Sequence, residues 1–282
     1  MNLTQWRDTP PEHAPGASAF PNGVGPGTRA CGQPGPAAIT LTQVSKVYGR
    51  GAGALLAVDR LSLTVGRGEF VCLIGASGCG KSTLLSIIAG LDTATAGQVA
   101  TDDQQVSLMF QEPALFPWLT AARNVELALR ARRVARTERR QRTAELLETV
   151  HLVDFADKRP HELSGGMRQR IALARALAQD ADVLLMDEPF GALDAMTRDL
   201  LHDELERICA ERGLSVLFVT HNVREAIRLG DRVVVLSSRP GRVIGEYPVP
   251  RTGPRRIDSV QVAELASTIT DRLREEMRRH GH

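Results

Sequence analysis

Gly75-Ala-Ser-Gly-Cys-Gly-Lys-Ser82 is the stretch that decides the fold of this chain. The octapeptide follows the apolar run Phe70-Val-Cys-Leu-Ile74 and opens a helical pattern over residues 81–91. Its glycines let the backbone curl so that successive N–H groups point at phosphate oxygens, and the helix N-terminus adds a positive partial charge. The stretch therefore predicts a phosphate-binding loop between a buried strand and a helix.

Strand and helix patterns alternate on both sides of this loop. Residues 183–186, 216–219 and 233–236 are apolar throughout, which is typical of strands buried on both faces of a parallel sheet. Helical periodicity occupies residues 166–179 and 196–212. By contrast, residues 39–44 and 61–65 alternate between apolar and polar types, as strands of a half-exposed antiparallel sheet do. The predicted fold class is α/β, a P-loop NTPase (RecA-like) core with an antiparallel β subdomain and an inserted α-helical subdomain.

The chain divides into three predicted regions. Residues 1–37 are rich in Pro, Gly and Ala and predict a disordered tail, and residues 38–250 predict the nucleotide-binding domain. The helical insertion spans about residues 112–162, and residues 251–282 form a C-terminal extension with a helical pattern. The arginine-rich run over residues 130–142 predicts a solvated helix face, with contact to anionic lipid headgroups as the alternative.

Composition excludes several classes of function. The net charge is only +2 and aromatic residues make up 4%, so neither a polyanion-binding surface nor a base-stacking platform is indicated, and no nucleic-acid partner is expected. The spacing of the four cysteines matches no metal or disulfide motif. No apolar stretch reaches the roughly 18 residues that span a bilayer, so a role at the membrane is expected to be peripheral.

Two motifs supply the predicted chemistry. In the loop, Lys81 should reach the β- and γ-phosphates of a nucleotide and Ser82 should ligate Mg²⁺. The run Val183-Leu-Leu-Met-Asp-Glu188 brings two acids to the carboxyl end of a buried strand, where ligands bind in α/β sheets. There, Asp187 is the predicted Mg²⁺ ligand and Glu188 the predicted general base. The predicted ATP-binding loop comprises Gly75, Ala76, Ser77, Gly78, Cys79, Gly80, Lys81, Ser82 and Thr83.

A third motif, Leu163-Ser-Gly-Gly-Met-Arg-Gln-Arg170, lies far from the loop in sequence. Ser164 can cap the helix that follows, and the exposed N–H groups there can receive an anion. The residues alone leave two interpretations open, a second phosphate site and an ordinary capped helix.

This third motif resembles the signature segment of ABC ATPases, and the other family motifs occur in the expected order. The resemblance implies that Tyr48 stacks on adenine, that Gln111 links Mg²⁺ and the attacking water to the transporter contact, and that His221 contacts the γ-phosphate. It implies ATP and Mg as cofactors, with Glu188, His221, Gln111 and Lys81 as the catalytic residues and Ser82, Gln111 and Asp187 as the metal site.

In this family two ATPase domains meet head to tail. The resemblance therefore implies that each ATP is also contacted in trans by a partner domain, and that this chain works as a homodimer. The residues that act in trans would be Ser164, Gly165, Gly166 and Asp194, the last within Ala192-Leu-Asp194.

Two further segments narrow the resemblance to one branch. Gln111-Glu-Pro-Ala-Leu-Phe-Pro-Trp-Leu-Thr120 and Leu236-Ser-Ser-Arg-Pro-Gly-Arg242 look like ATPases that serve importers of nitrate, aliphatic sulfonates, taurine and related solutes. The implied partners are transmembrane permease subunits and, indirectly, a periplasmic or lipid-anchored solute-binding protein. The implied location is the cytoplasmic face of the cell membrane.

Three alternatives remain from the sequence. The first is the ATPase subunit of an ABC exporter, and the second is a non-transport ABC ATPase of the DNA-repair or translation type. The third is a small-molecule P-loop kinase or GTPase, but a kinase needs no signature segment, and the Asn-Lys-x-Asp segment that reads guanine is not found in the sequence. Only about eighty residues separate the phosphate loop from the signature segment, without the sustained heptads of a DNA-repair coiled coil.

Overall fold

The central feature of the computed structural model, which describes residues 36–250 and 260–279, is a six-stranded sheet ordered β5-β6-β7-β3-β8-β9. The first five strands in this order run parallel, and β9 pairs with β8 in the antiparallel sense. Because parallel strands share one carboxyl edge, the loops after β3, β6 and β7 lie close together. The strands are β3 Phe70–Ile74, β5 Val106–Met109, β6 Val183–Asp187, β7 Ser215–Val219, β8 Arg232–Leu236 and β9 Val243–Pro248.

Both faces of this sheet are buried, against two separate clusters of apolar side chains. Along β3, Cys72 and Ile74 belong to the cluster under the helices, whereas Val71 and Leu73 belong to the cluster under the second sheet. Successive side chains of a strand point to opposite faces, so a strand buried on both sides must be apolar at every position. This requirement explains the uninterrupted apolar runs in the sequence.

The second sheet is antiparallel, with the order β2-β1-β4. In β2 the positions from Leu61 to Val65 alternate between buried and exposed, with Leu61, Leu63 and Val65 turned to the core. The predicted α/β class with an antiparallel β subdomain is confirmed. The strands of this sheet are β1 Ala37–Tyr48, β2 Leu55–Gly66 and β4 Ala96–Ala100.

Seven helices occur in the part of the chain that the structure describes. Helices α2 and α3 fall within the predicted helical insertion and pack with α4, while α7 lies in the C-terminal extension and packs against α6. None of these helices is both long and apolar enough to cross a bilayer. They are α1 Lys81–Ile88, α2 Ala121–Ala131, α3 Arg136–Thr149, α4 Gly165–Leu177, α5 Ala195–Arg212, α6 Val223–Leu229 and α7 Val260–Arg279.

Several boundaries differ from those predicted. Helix α1 ends at Ile88 rather than at residue 91, because Gly90 takes a left-handed backbone with φ of +70°. Strands β4, β5 and β9 were not predicted. The predicted disordered tail lies outside the described residues except for Pro36 and Ala37, and Ala37 already belongs to β1.

The arginine-rich run is exposed, as predicted for a solvated helix face: six of its seven arginines are exposed and Arg139 is half-buried. Arg132 donates to the backbone oxygens of Gln179 and Asp180, and Arg139 pairs with Glu126. At least two of these arginines therefore hold neighbouring parts of the fold together.

Candidate active site

A cavity of about 510 Å³ opens at the carboxyl edge of the central sheet, a volume typical of small-molecule sites. It brings together the phosphate loop and residues from the ends of β1, β6 and β7, as well as the segment after β5. The lining residues are Tyr48, Leu55, Ala57, Gly75, Ser77, Gly78, Gly80, Lys81, Ser82, Thr83, Gln111, Glu188, His221 and Arg239.

The phosphate loop is held closed by glycine and by the lysine that follows. Gly80 takes φ of +97°, and a Cβ there would lie 2.8 Å from the carbonyl oxygen of Ala57, so no side chain fits. The Lys81 ammonium folds back and donates to the carbonyl oxygens of Gly75 and Ala76, both at 2.9 Å. Since Lys81 also begins α1, its charge and the helix N-terminus act on the same space.

Ser82 and Asp187 are the two predicted oxygen ligands for Mg²⁺, one at the start of α1 and the other at the end of β6. Burial raises the pKa of the Asp187 carboxyl, and the nearby Ser82 hydroxyl opposes this shift. A buried carboxylate and a hydroxyl fit Mg²⁺, which takes one or two protein oxygens and completes its shell with water and phosphate. No cluster of three or more His, Cys, Asp or Glu side chains suited to a metal occurs among residues 36–250 and 260–279.

Three side chains that are distant in sequence meet at Glu188. Its Oε2 atom lies 3.1 Å from His221 Nδ1 and 3.5 Å from Gln111 Nε2. Glu188 has φ of +45°, a rare conformation for a residue with a side chain, and its N–H donates to the Val219 carbonyl oxygen at 2.9 Å. Strained backbone of this kind is frequent at functional sites.

A buried polar network anchors the loop that carries His221. Thr220 donates to Glu225, whose other oxygen lies 2.9 Å from His202 Nε2 on α5. Arg228 contacts the second ring nitrogen of His202 at 2.8 Å. Burial alone would raise the pKa of Glu225, but the hydrogen bonds from His202 and Thr220 outweigh it and lower that pKa. The network ties α5 to the end of β7, so the His221 loop has fixed attachment points.

Tyr48 lies on the rim of the cavity. Its hydroxyl donates to Asp92 at 2.9 Å, and Lys46 Nζ lies 4.9 Å from the centre of its ring. These contacts fix the ring at the cavity mouth, where a flat ligand can reach it.

The signature segment does not line this cavity. Ser164 caps α4 by accepting from the N–H of Met167 at 3.2 Å, and Asp194 caps α5 by accepting from Thr197 at 3.0 Å. Both residues are exposed, as is Ala192. Within one chain the structure therefore separates Ser164, Gly165, Gly166 and Asp194 from the residues grouped around Lys81.

A buried glutamine on the signature helix α4 connects the segment before Asp194 to Gln111 at the cavity. Gln169 on α4 accepts from the N–H of Ala192 at 3.2 Å and donates to the carbonyl oxygen of Gln111 at 3.5 Å. A movement of helix α4 can therefore be transmitted to Gln111 through the hydrogen bond of this one side chain.

Sequence reasoning missed three lining residues, Leu55, Ala57 and Arg239. The first two lie on β2, and no motif marks them. Arg239 lies in the quoted segment Leu236–Arg242, but nothing in the sequence placed it near the phosphate loop. Conversely, Ala76 and the buried Cys79 belong to the loop without lining the cavity, and burial raises the pKa of the Cys79 thiol.

The fold and the loop together define a P-loop nucleotide-binding protein, and comparison with known proteins identifies the family. The ABC transporter family profile matches residues 58–191. The chain is 43% identical to the nitrate import ATP-binding protein NrtD of Synechocystis sp. over 76% of this chain and 84% of that protein. It is 45% identical to the taurine import ATP-binding protein TauB of Burkholderia pseudomallei, over 75% of this chain and 84% of that protein.

Solved structures agree with this assignment. The dimeric post-hydrolysis structure of the ATP-binding cassette MJ0796, bound to ADP and Pi, superposes with a TM-score of 0.70 at 36% identity. The alignment covers 75% of this chain and 99% of that one. The chain belongs to the family of ABC transporter ATP-binding subunits, which are ATP-hydrolysing transport ATPases, and the resemblance predicted from the motifs is confirmed.

Replacing Asp187 with Asn should stabilise the nucleotide-free chain at pH 7, because it removes a carboxylate charge that burial disfavours. The raised pKa means that the folded state binds the proton more tightly than the unfolded chain. The penalty for the charged form is therefore present at neutral pH and disappears below about pH 4. Melting temperatures measured against pH should show the variant above the wild type at pH 7 and the two converging in acid.

The exposed Asp157→Asn substitution is the matched control and should follow the wild-type curve. The Asp187→Asn variant should also gain less stability from Mg-ATP than the wild type, since ligand binding to the folded state raises stability. An Asp187→Asn variant that melts below the wild type throughout the pH range would contradict the conclusion that burial of the Asp187 carboxylate destabilises the folded chain at neutral pH.

Proposed function

We propose that this chain hydrolyses ATP at the cavity around Lys81 and thereby powers import of a small anionic solute such as nitrate, a sulfonate or taurine. The observation that carries the ATPase proposal is the convergence of Gln111, Glu188 and His221 at the cavity that also contains the phosphate loop. A charged base, an imidazole and an amide at one sheet edge, beside a lysine, suit hydrolysis of a terminal phosphate.

Each side chain has a separate task in this proposal. Lys81 moves from the loop carbonyl oxygens to the β- and γ-phosphates, and the N–H groups of the loop bind the same oxygens. Glu188 orients and deprotonates the attacking water. Gln111 and His221, which both lie within 3.5 Å of the Glu188 carboxylate, position that water and contact the γ-phosphate.

Bound Mg²⁺ would neutralise developing charge on the phosphates, and Ser82, Asp187 and Gln111 would hold it. Tyr48 would carry the adenine at the rim. The remaining loop residues would contribute their backbone N–H groups.

The second half of the site would come from a partner copy of the chain. The N-termini of α4 and α5, with their caps Ser164 and Asp194, are exposed and do not line the chain's own cavity. A helix N-terminus that meets the γ-phosphate from the opposite side would join two copies through ATP, together with Gly165 and Gly166. Support for a homodimer comes from MJ0796, whose cassette structures are dimeric.

Replacing Glu188 with Gln should leave ATP binding intact and slow hydrolysis roughly 10²–10⁴-fold, because the general base is lost. The variant should also accumulate as an ATP-bound dimer. Phosphate release measures the rate of hydrolysis, and light scattering measures the accumulation of the dimer. Glu112→Gln, an exposed neighbour of Gln111, is the control and should turn over normally. Unchanged turnover in Glu188→Gln would remove Glu188 from this role.

The proposed solute class follows from the relatives' names, since one is a nitrate import protein and another a taurine import protein. The ATPase itself would not touch the solute. Transmembrane permease subunits would carry the pathway, and a periplasmic or lipid-anchored solute-binding protein would deliver the solute. The chain would then sit peripherally on the cytoplasmic face of the membrane.

The proposed permease contact is the exposed aromatic pair before α2. Phe116 and Trp118 have ring centres 5.5 Å apart, and Trp118 is 66% exposed. The fully buried Asn124 accepts from the N–H of Phe116 at 2.8 Å and donates to its carbonyl oxygen at 3.3 Å. An exposed apolar pair on rigid backbone is suited to a partner protein rather than to water. With Pro117, these residues would line the groove that receives a permease helix.

Replacing Trp118 with Ala should abolish most transport while basal ATP hydrolysis by the isolated chain stays within about twofold, since the side chain contacts no catalytic group. Uptake of the solute in vesicles that contain the permease measures the first effect, and phosphate release measures the second. Leu91→Ala removes an equally exposed apolar side chain elsewhere and should transport normally. Full transport by Trp118→Ala would contradict the proposed contact. Co-purified exporter subunits instead of an import permease would favour the exporter alternative.

A further inference from the structure

Arg239 lies at the cavity that contains the phosphate loop, and no function has been assigned to it from the segment Leu236–Arg242 in which it lies. Its Nε atom donates to the carbonyl oxygen of Gly78 at 3.0 Å, across 161 positions of the chain. A Cβ on Gly78 would lie 2.7 Å from Arg239 Nη2, so the guanidinium lies directly against the loop backbone. Arg239 is thus a second cation at a site where Lys81 is the predicted phosphate ligand.

Arg239 lies in a turn that is closed by hydrogen bonds between its two ends. In the 237–242 loop, the N–H of Ser237 donates to the Arg242 carbonyl oxygen at 2.8 Å, and the Arg242 N–H donates to Ser237 Oγ, also at 2.8 Å. Ser237 Oγ in turn donates to the Pro240 carbonyl oxygen at 2.6 Å. These bonds fix the backbone on both sides of Arg239, so the side chain starts from a defined position.

The 237–242 loop is also attached to the walls of the cavity. The Gly241 N–H donates to the carbonyl oxygen of Ala57 at 2.9 Å, and the Asp59 N–H donates to the carbonyl oxygen of Gly241 at 3.1 Å. A Cβ at position 241 would lie only 2.2 Å from the carbonyl oxygen of Cys79. Backbone therefore packs on backbone between this loop and the phosphate loop.

Helix α7 supports the same loop from the other side. The buried carboxylate of Glu276 accepts from the N–H of Ser238 at 3.2 Å, one residue before Arg239. Arg272 of the same helix donates to the Ile244 carbonyl oxygen at 3.4 Å. The C-terminal helix is thus connected to the nucleotide cavity through a single turn of chain.

The chemistry of the guanidinium favours a phosphate over the carbonyl oxygen that it now binds. Hydrogen bonds between a cation and an anionic oxygen are about twice as strong as those to a neutral acceptor. A guanidinium offers several N–H donors, so Arg239 can retain Gly78 while other N–H groups reach a phosphate oxygen.

We propose that Arg239 is a further nucleotide-binding residue, which contacts a phosphate of ATP from the outer side of the phosphate loop and is held in position by α7 through Glu276. The inference rests on the proposed function of the Lys81 cavity as the ATP site. It adds a second cation to that site and gives the C-terminal helix an influence on nucleotide affinity.

The test compares two replacements of Arg239 that separate charge from backbone support. Arg239→Gln keeps an N–H donor for the Gly78 carbonyl oxygen but loses the charge, whereas Arg239→Lys keeps the charge. A phosphate contact predicts that Arg239→Gln weakens equilibrium binding of ATP about 10- to 100-fold, as expected for a lost charge-assisted hydrogen bond, and that Arg239→Lys recovers much of the loss. Arg239→Gln should also show a weaker dependence of ATP affinity on salt concentration.

Two controls complete the experiment. Arg60→Gln removes an exposed positive charge on β2, three residues after the lining residue Ala57, and should bind ATP as the wild type does. Lys81→Ala should lose ATP binding, and normal binding by that variant would refute the proposed site itself. If Lys81→Ala fails to bind while Arg239→Gln binds normally, only the inference on Arg239 is overturned. Loss of affinity in Arg239→Lys equal to that in Arg239→Gln would also overturn it.

The role of α7 is tested by a double-mutant cycle. Glu276→Leu removes the acceptor for the Ser238 N–H and should weaken ATP binding several-fold, less than Arg239→Gln does. In the Arg239→Gln, Glu276→Leu double variant, the Glu276 replacement should cause no further loss of ATP affinity, because the charge that Glu276 helps to position is already absent. Independent, additive losses, or no effect of Glu276→Leu in a chain that circular dichroism shows to be folded, would refute the link to α7.

Discussion

Between Ile74 and Lys81 the backbone turns so tightly that a side chain at position 80 would run into the carbonyl oxygen of Ala57. Glycine removes that conflict, and its left-handed backbone lets α1 begin with Lys81 directly after the turn. The ammonium then folds back onto Gly75, into the space where phosphate oxygens would bind. Everything else in the site is arranged around this turn, because the strand ends and the 237–242 loop all face it.

Parallel pairing places the remaining groups at one edge. In the central sheet Met109, Met186 and Phe218 are in register, so the residues that follow them emerge side by side. Glu188 follows β6 directly and takes an unfavourable backbone conformation, which turns its carboxylate towards His221. The buried network behind that histidine joins the residue before it, Thr220, to Glu225 and His202. Gln111, Glu188 and His221, the proposed catalytic groups, are thus already in contact in this structure, which is the condition for electrostatic preorganisation.

The sequence alone predicted those elements whose local pattern agrees with their place in the fold. Glycine spacing between an apolar strand and a helix predicted the phosphate loop, and uninterrupted apolar runs predicted the buried parallel strands. Strand β4 was missed because it is mostly exposed and carries little apolar pattern, and its pairing with β1 alone defines it. Arg239 was missed because its contact with Gly78 joins segments far apart in the chain. The sequence left Ser164 open between a helix cap and a phosphate site. The structure of one chain shows Ser164 only as a helix cap, because a phosphate site at Ser164 would require a second copy of the chain.

The central claim is that each nucleotide lies between Lys81 of one copy and Ser164 of another, and mixing two defective variants tests it most directly. Lys81→Ala and Ser164→Arg should each fail to associate on addition of ATP. A mixture contains one intact composite site per mixed dimer, formed by Lys81 of one protomer and Ser164 of the other. Light scattering and single-turnover phosphate release should therefore recover in the mixture. If the mixture stays as inactive and monomeric as its components, the nucleotide is not shared between two copies.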